Sequence, residues 1–347
     1  MDLQTRLYRL QQRRYDQLNK SFTLSNAATK QGLSDAEKYL IGSMEQVSPQ
    51  QTEIVLRTGE RVKNQLESFL NNEGLYPEFD YQGSVTNNTH IKIYSDIDLI
   101  VASGSFYTAV GGAFSTVSAY AYDPKQTILT LRKHCKSGLT SGFPSATVKE
   151  KAKCIGISGG SLQRDVDVVP CNWIKNKNYE RTGLKMYLGI RVLDVDMNRW
   201  IDNFPFLHNA LLEVKDSETN GNLKRVIRLL KTLKEDANIT IDVSSYDICG
   251  LAYAFKDELL KSNPFENQFQ FLERFLTFST SLERDVVQQA SIAVPNGTRL
   301  LFSPDGLKVS ELKKLNAELN ELLDDVRPSQ AQLHARLNAL NAIIQGR

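Results

Sequence analysis

Leu3, Leu7, Leu10 and Leu18 recur at helical spacing near the start of the chain, with Arg6, Arg9, Arg13 and Arg14 around them. Apolar residues three and four apart share one helix face, so residues 1–46 read as helical. The arginines are either the solvated side of that helix or a basic contact for a nucleic acid. Ser48-Pro49-Gln50-Gln51 marks a helix start, with Ser48 as cap, Pro49 first and Gln51 third. Ile54, Val55, Val62, Leu66, Phe69 and Leu70 continue it, and Asn71-Asn72-Glu73-Gly74 ends it. From Ile97 to Val101 a β-branched, apolar run predicts a buried strand. Residues 102–122, rich in Gly, Ala, Ser and Tyr, read as loop plus a short helix. Asp123-Pro124 opens another helix that ends near Ser137-Gly138. Thr147 to Ser158 predicts one strand, Gly159-Gly160 a hairpin turn, and Gln163 to Val169 the antiparallel partner.

From about Trp173 the pattern becomes mostly helical, with polar loops at 174–183 and 214–222. Leu223, Val226, Ile227, Leu230 and Leu233 form one helical stripe. Lys231 falls at its border beside Lys224 and Arg228, where a lysine either snorkels to water or reaches into a cleft. Lys234 falls inside the stripe, which spacing alone does not explain. Ser244 is a helix cap with Asp247 at the third position, and Tyr246 lies in the first turn. Such a tyrosine either packs or presents its ring for base stacking. Residues 255–347 are helical with breaks at Pro264, Pro295, Pro304 and Pro328; Ser310–Val326 and Ala331–Ile344 are amphipathic. The pattern predicts an α+β chain, with a core lobe over 1–172 that includes the N-terminal helices and a helical lobe over 173–347.

The 347 residues suffice for one large or two modest domains with a real core. A formal charge of +2 offers no global basic field for nucleic acid. Cys135, Cys154, Cys171 and Cys249 have no CxxC spacing, so a reduced, cytoplasmic protein is expected. No apolar run approaches the roughly 20 residues of a membrane span. The first residues lack the apolar region of a signal peptide. His90, His134, His208 and His334 do not cluster in sequence, and His134 beside Cys135 does not by itself make a zinc site.

The chemistry concentrates in YQGSVTNNTHIKIYSDIDLIV, residues 81–101. Asp96 and Asp98 are two apart and are expected on one face of the predicted strand. Paired carboxylates on a core strand repel each other and resist burial, and a divalent cation relieves both costs. Gly83 lets a backbone turn approach phosphates, and Ser84 adds a hydroxyl and an N–H. QRDVDVVPC then offers Asp165 and Asp167 on one strand face as candidates for a third acid. This combination resembles the nucleotidyltransferase superfamily typified by DNA polymerase β, where a Gly-Ser turn precedes an Asp-x-Asp strand and a third acid follows. In one branch that acid precedes two apolar residues and a proline, which matches Asp167; Asp165 is then a neighbour.

LKRVIRLLKTLKED followed by VSSYDICGLAYAF is similar to paired segments of cyclic GMP–AMP synthase and oligoadenylate synthase. DVDVVPC and the Trp200-Ile201…Pro205…His208 stretch resemble the CD-NTases, bacterial relatives in antiphage (CBASS) signalling. The resemblance covers roughly residues 50–260. It implies a bilobed, polymerase-β-like fold with a mixed sheet in the core lobe and the active site in the cleft. It implies that Asp96, Asp98 and Asp167 hold two Mg²⁺ ions, with Mn²⁺ as an alternative. It also implies that Gly83, Ser84, Lys231 and Ser245 bind phosphates while Tyr246 stacks on a base. The expected reaction is condensation of NTPs, ATP among them, into a cyclic di- or trinucleotide read by a downstream effector. Alternatives are linear oligoadenylate, transfer to an RNA end or a protein, and a binding module that has lost the chemistry. A regulatory protein partner is compatible with this reading and a membrane is not expected. Zinc-dependent DNA sensing is not expected either, because no Cys/His cluster could build it.

Overall fold

The computed structural model describes residues 2–16, 21–22, 33–109, 114–116, 123–261 and 268–327. Its helices are α1 (Leu3–Arg14), α2 (Asp35–Met44), α3 (Pro49–Asn72), α4 (Pro124–Gly142), α5 (Lys177–Thr182), α6 (Pro205–Glu218), α7 (Asn222–Asp236), α8 (Ser245–Tyr253), α9 (Asp257–Leu260), α10 (Gln268–Ser281), α11 (Val286–Gln289) and α12 (Val309–Val326). Its strands are β1 (Tyr15–Asp16), β2 (Ser21–Phe22), β3 (Glu78–Gln82), β4 (Ile97–Thr108), β5 (Phe114–Thr116), β6 (Thr147–Glu150), β7 (Ile155–Ser158), β8 (Val166–Lys175), β9 (Leu188–Asp194) and β10 (Arg199–Asn203). The helix expected over Ala331–Ile344 lies outside the described residues.

Ser48 caps α3 as its sequence predicts, accepting from the Gln51 N–H, and α3 delivers the chain to β3. The main sheet runs β10-β9-β8-β4-β3, with β5 on β4 and the β6–β7 hairpin on β8. β4 and β8 are parallel at its centre, and α3 and α4 cover one face. β4 continues to Thr108, where loop and a short helix were expected. Its Gly104 is required by crowding, since a Cβ there would stand 2.8 Å from the Tyr76 carbonyl. Pairing with neighbouring strands outweighs the weak strand preference of Gly and Ser.

Thr147–Ser158 is a hairpin rather than one strand. The reversal at Lys151-Ala152-Lys153-Cys154 contains no Gly, Pro or Asn to announce it, and the Lys151 N–H donates to the Cys154 carbonyl at 2.9 Å. β8 begins at Val166 and runs past Pro170. β7 pairs it only to Val168, and β9 takes over at Cys171. Pro170 therefore falls between two neighbours, where a missing N–H costs no bond on that side. β9 and β10 extend the sheet into the part of the chain expected to be mostly helical.

A second core joins α7, α8, α10 and α12, and α1 and α2 add Leu10, Ala36, Tyr39, Leu40 and Met44 to it. Arg6 is fully buried and pairs with Glu318 and Glu321 at 2.6 and 2.5 Å. Arg13 grips buried Asp236 with two bonds of 2.5 and 2.8 Å, and the Tyr39 hydroxyl donates to the same carboxylate. Arg6 and Arg13 thus anchor helices to one another and fit neither the solvated face nor the nucleic-acid contact, whereas Arg9 is exposed. Lys234 is explained by its bond to the Val243 carbonyl at 2.7 Å, which ties α7 to the segment before α8. No helix among the described residues is long and apolar enough to cross a membrane.

Candidate active site

One row of residues crosses the middle of the sheet. Gln82 on β3 pairs with Asp98 on β4, Asp98 with Asp167 on β8, and Asp167 with Gly156 on β7. Residues in register project to the same face of a sheet, so the pairing brings Asp98 and Asp167 together. Asp96 lies just before β4 and is exposed; Asp165 lies just before β8 and is also exposed. Each first acid stands one residue before its strand, and the Ile97 N–H donates to the Asp165 carbonyl at 3.3 Å, so the ladder between β4 and β8 reaches back to these positions.

Burial, and after it the charges of Asp167 and Asp96, push the Asp98 carboxyl up to about 7, with Lys151 opposing. Asp165 is raised by burial and then by Asp96. Asp167 is held by an ion pair instead: the Lys151 ammonium lies 2.6 and 2.8 Å from its two oxygens. Among the described residues, no three carboxylate, imidazole or thiol side chains converge into a ready cation cage. The donors nevertheless suit a hard divalent cation. They are all carboxylate oxygens, and Asp98 carries the repulsion that such a cation relieves.

Gly83 follows β3 with a φ of +88°, and an added Cβ would overlap the Asp98 Oδ2 atom. The turn after it closes through the Thr89 N–H, which donates to the Ser84 carbonyl at 2.9 Å. This loop is where the sheet meets the helical core. Arg228 of α7 donates to the Met44 and Asn88 carbonyls at 2.8 and 2.7 Å. Lys231, 7% exposed, donates to the Thr89 carbonyl and hydroxyl, both at 3.1 Å. Burial, and then the neighbouring Arg228 and Lys234 charges, lower the pKa of Lys231 although Cys249 opposes them.

A cleft of about 320 Å³ opens there, lined by Gly83, Ser84, Asp98, Lys231, Ser245 and Tyr246 among others. It does not include Asp96 or Asp167, which lie toward the β6–β7 hairpin. Tyr246 stacks on His208 of α6 with centroids 4.8 Å apart, and the Arg299 guanidinium lies 5.4 Å from its ring centroid. Its hydroxyl bonds to Asn296 and lies 3.2 Å from the Thr298 hydroxyl. Burial and then the Lys231 charge depress His208 to about 4, so it is neutral at physiological pH.

Sequence reasoning missed Lys151 and left Asn87, Asn209 and the Tyr246–His208 stack without roles. Asn87 and Asn209 bond to each other at 3.0 Å and join the Gly-Ser loop to α6. The sequence reading places Lys151 inside a single strand over Thr147–Ser158, and only the hairpin pairing shows that this lysine meets Asp167.

Lys231 has no carboxylate partner among the described residues. Lys231→Met is therefore expected to keep or raise the melting temperature, because it removes a buried charge lacking a counter-ion. The same variant is expected to raise the KM for NTP about tenfold or more, through loss of a charge-assisted phosphate contact. An unchanged KM in steady-state assays would remove Lys231 from the nucleotide site.

The fold is that of a polymerase-β-like nucleotidyltransferase, and comparison with known proteins narrows the class. Residues 211–324 match the cGAS/DncV-like nucleotidyltransferase C-terminal helical domain. The chain is 35% identical over 323 residues to the cyclic dinucleotide synthase CdnE of Yersinia aleksiciae, covering 90% of this chain and 83% of that protein. It is similar to the structure of the STING-associated CdnE c-di-GMP synthase from Capnocytophaga granulosa, with 28% identity and a TM-score of 0.75 over 94% of this chain and 99% of that one. The STING-associated CdnE c-di-GMP synthase from Flavobacteriaceae sp. shares the fold at 22% identity and a TM-score of 0.77, over 94% and 98% of the two chains. The chain belongs to the CD-NTase family.

Proposed function

We propose that this CD-NTase condenses two nucleoside triphosphates into a cyclic dinucleotide second messenger, releasing pyrophosphate, with Mg²⁺ as its working cation. The observation that carries this reading is the register of Asp98 and Asp167 on adjacent parallel strands, beside a cleft holding Gly83, Ser84, Lys231, Ser245 and Tyr246. The names of the Yersinia and Capnocytophaga relatives support a cyclic dinucleotide product and place GTP beside ATP among the substrates to test. The STING association of the Capnocytophaga protein supports an effector that reads the product, in an antiphage setting.

Asp98 and Asp167, with Asp96 just before β4, would hold the cations. When bound, divalent cations neutralise the triphosphate and favour ionisation of the acceptor ribose hydroxyl. The Lys231 ammonium, buried against two uncharged oxygens, gains an anionic partner when triphosphate enters. The Ser84 hydroxyl and the opening of α8 at Ser245, where N–H groups lack intrahelical acceptors, complete the phosphate cradle. Tyr246, oriented by His208 and by the bonds of its hydroxyl, receives a base. Asp167 would take the proton of the acceptor hydroxyl as its oxygen attacks the α-phosphorus and the bond to pyrophosphate breaks. A second such step on the linear intermediate closes the ring.

The test is incubation with labelled NTPs and Mg²⁺ or Mn²⁺, then phosphatase treatment and mass spectrometry of the small molecules. A phosphatase-resistant dinucleotide is expected. A product that phosphatase degrades, or label transferred to added RNA or protein, would replace this reading.

A further inference from the structure

Lys151 sits in the reversal between β6 and β7, and four bonds from outside or within the turn hold the backbone of this reversal. The Lys151 N–H donates to the Cys154 carbonyl at 2.9 Å. Arg132 of α4, almost fully buried, donates to the Lys151 carbonyl and, at 2.9 Å, to the Cys154 carbonyl. The Val195 N–H donates to the Ala152 carbonyl at 3.0 Å. A turn fixed in this way aims a flexible stem at one place. That place is Asp167, and the ammonium bonds both of its carboxylate oxygens.

Across the strand pair, Gly156 keeps the slot open. A Cβ there would stand 3.0 Å from Lys151 Cε and 3.1 Å from Asp167 Oδ1, tighter than side chains ordinarily pack. The Lys151 side chain is still 44% exposed, so it can leave without crossing packed protein. A lysine suits such a role because its ammonium is a point charge on a mobile stem, without the planar fork by which arginine locks onto a carboxylate.

We propose that Lys151 is a resident counter-ion that holds the oxygens of Asp167 in the absence of cation and yields them when a divalent cation binds. It thereby sets the cation concentration at which the site assembles. The inference rests on the assignment of Asp96, Asp98 and Asp167 as cation ligands. It accounts for the ion pair that occupies both oxygens of Asp167.

The experiment is titration of the full chain with Mn²⁺ alone, following free Mn²⁺ by electron paramagnetic resonance. Lys151→Met is expected to bind Mn²⁺ about five- to tenfold more tightly than wild type, a modest factor because a half-exposed pair is screened by solvent. Lys151→Ala is expected to give the same shift and guards against an effect particular to methionine. Lys151→Arg, which keeps the charge, is expected to bind no more tightly than wild type. In an Asp167→Asn background, Lys151→Met is expected to change nothing, because the contested oxygens are gone. In turnover assays the Mg²⁺ concentration for half-maximal rate is expected to fall by a similar factor.

Unchanged or weaker Mn²⁺ binding by Lys151→Met and Lys151→Ala, with wild-type binding still lost in Asp98→Asn, overturns the counter-ion and leaves the cation assignment standing. Absence of Mn²⁺ binding that depends on Asp98 overturns both.

Discussion

Asp98→Asn is expected to abolish product formation while making the cation-free protein more stable. Loss of a cation ligand forfeits several kcal/mol of charge stabilisation in the transition state. At 1.36 kcal/mol per tenfold, that is about a thousandfold or more in rate. The stability effect has the opposite sign. Burial and the neighbouring Asp167 and Asp96 raise the Asp98 carboxyl from 3.8 to about 7. The folded protein therefore holds this proton more tightly than the unfolded chain does between about pH 4 and pH 7. Stability falls as pH rises through that window, and the full penalty, of order 2–4 kcal/mol, is present above it. Asparagine carries no such penalty. Melting in chelator should show the variant more stable than wild type at pH 8, with the gap closing as pH falls toward 4. Retained turnover would remove Asp98 from the cation site. An absent or inverted gap at pH 8 would show that burial and the neighbouring acids do not penalise the carboxylate.

Gly83→Ala is expected to lose both stability and rate. The residue has a φ of +88°, a conformation that L side chains rarely adopt, and the new Cβ would overlap Asp98 Oδ2. Backbone strain of this kind costs about 1–3 kcal/mol. Displacing the carboxylate by about 1 Å is expected to cost about a hundredfold in turnover. Gly74→Ala separates the two effects. Gly74 has a similar φ of +74° but nothing within 4 Å of an added Cβ. It should show the stability loss in urea denaturation and keep its rate. Equal loss of rate in both variants would mean that strain alone, not the contact with Asp98, sets the activity of Gly83→Ala.

Much of the site is legible in local sequence because its chemistry is carried by short motifs. Ser48 and Pro49 set the start of α3, and the apolar run from Ile97 to Val101 marks a core strand beside Asp98. The stripe of α7 brings Lys231 to the cleft border. Burial proved greater than the amphipathic pattern suggested, because α1 and α2 cover the second side of α7. That cover comes from residues far away in the chain and leaves no trace in the periodicity of α7 itself.

The residues of this chain by themselves determined the helix caps, the core stripes, the pairs of acids and the glycine before the serine. Each depends on side chains within a few positions of one another, where spacing and rotamer geometry decide. Tertiary structure decided the rest. Strand alternation offers both Asp165 and Asp167, the resemblance matches Asp167, and the parallel register of β4 and β8 places Asp167 opposite Asp98. Sequence cannot show that Pro170 falls in the gap between β7 and β9 or that Arg6 and Arg13 meet buried carboxylates on α12 and α7. Nor can it show that Lys151 reaches Asp167. Register, burial and ion pairing across long separations are set by which surfaces exclude water together, and no local stretch of sequence contains both surfaces.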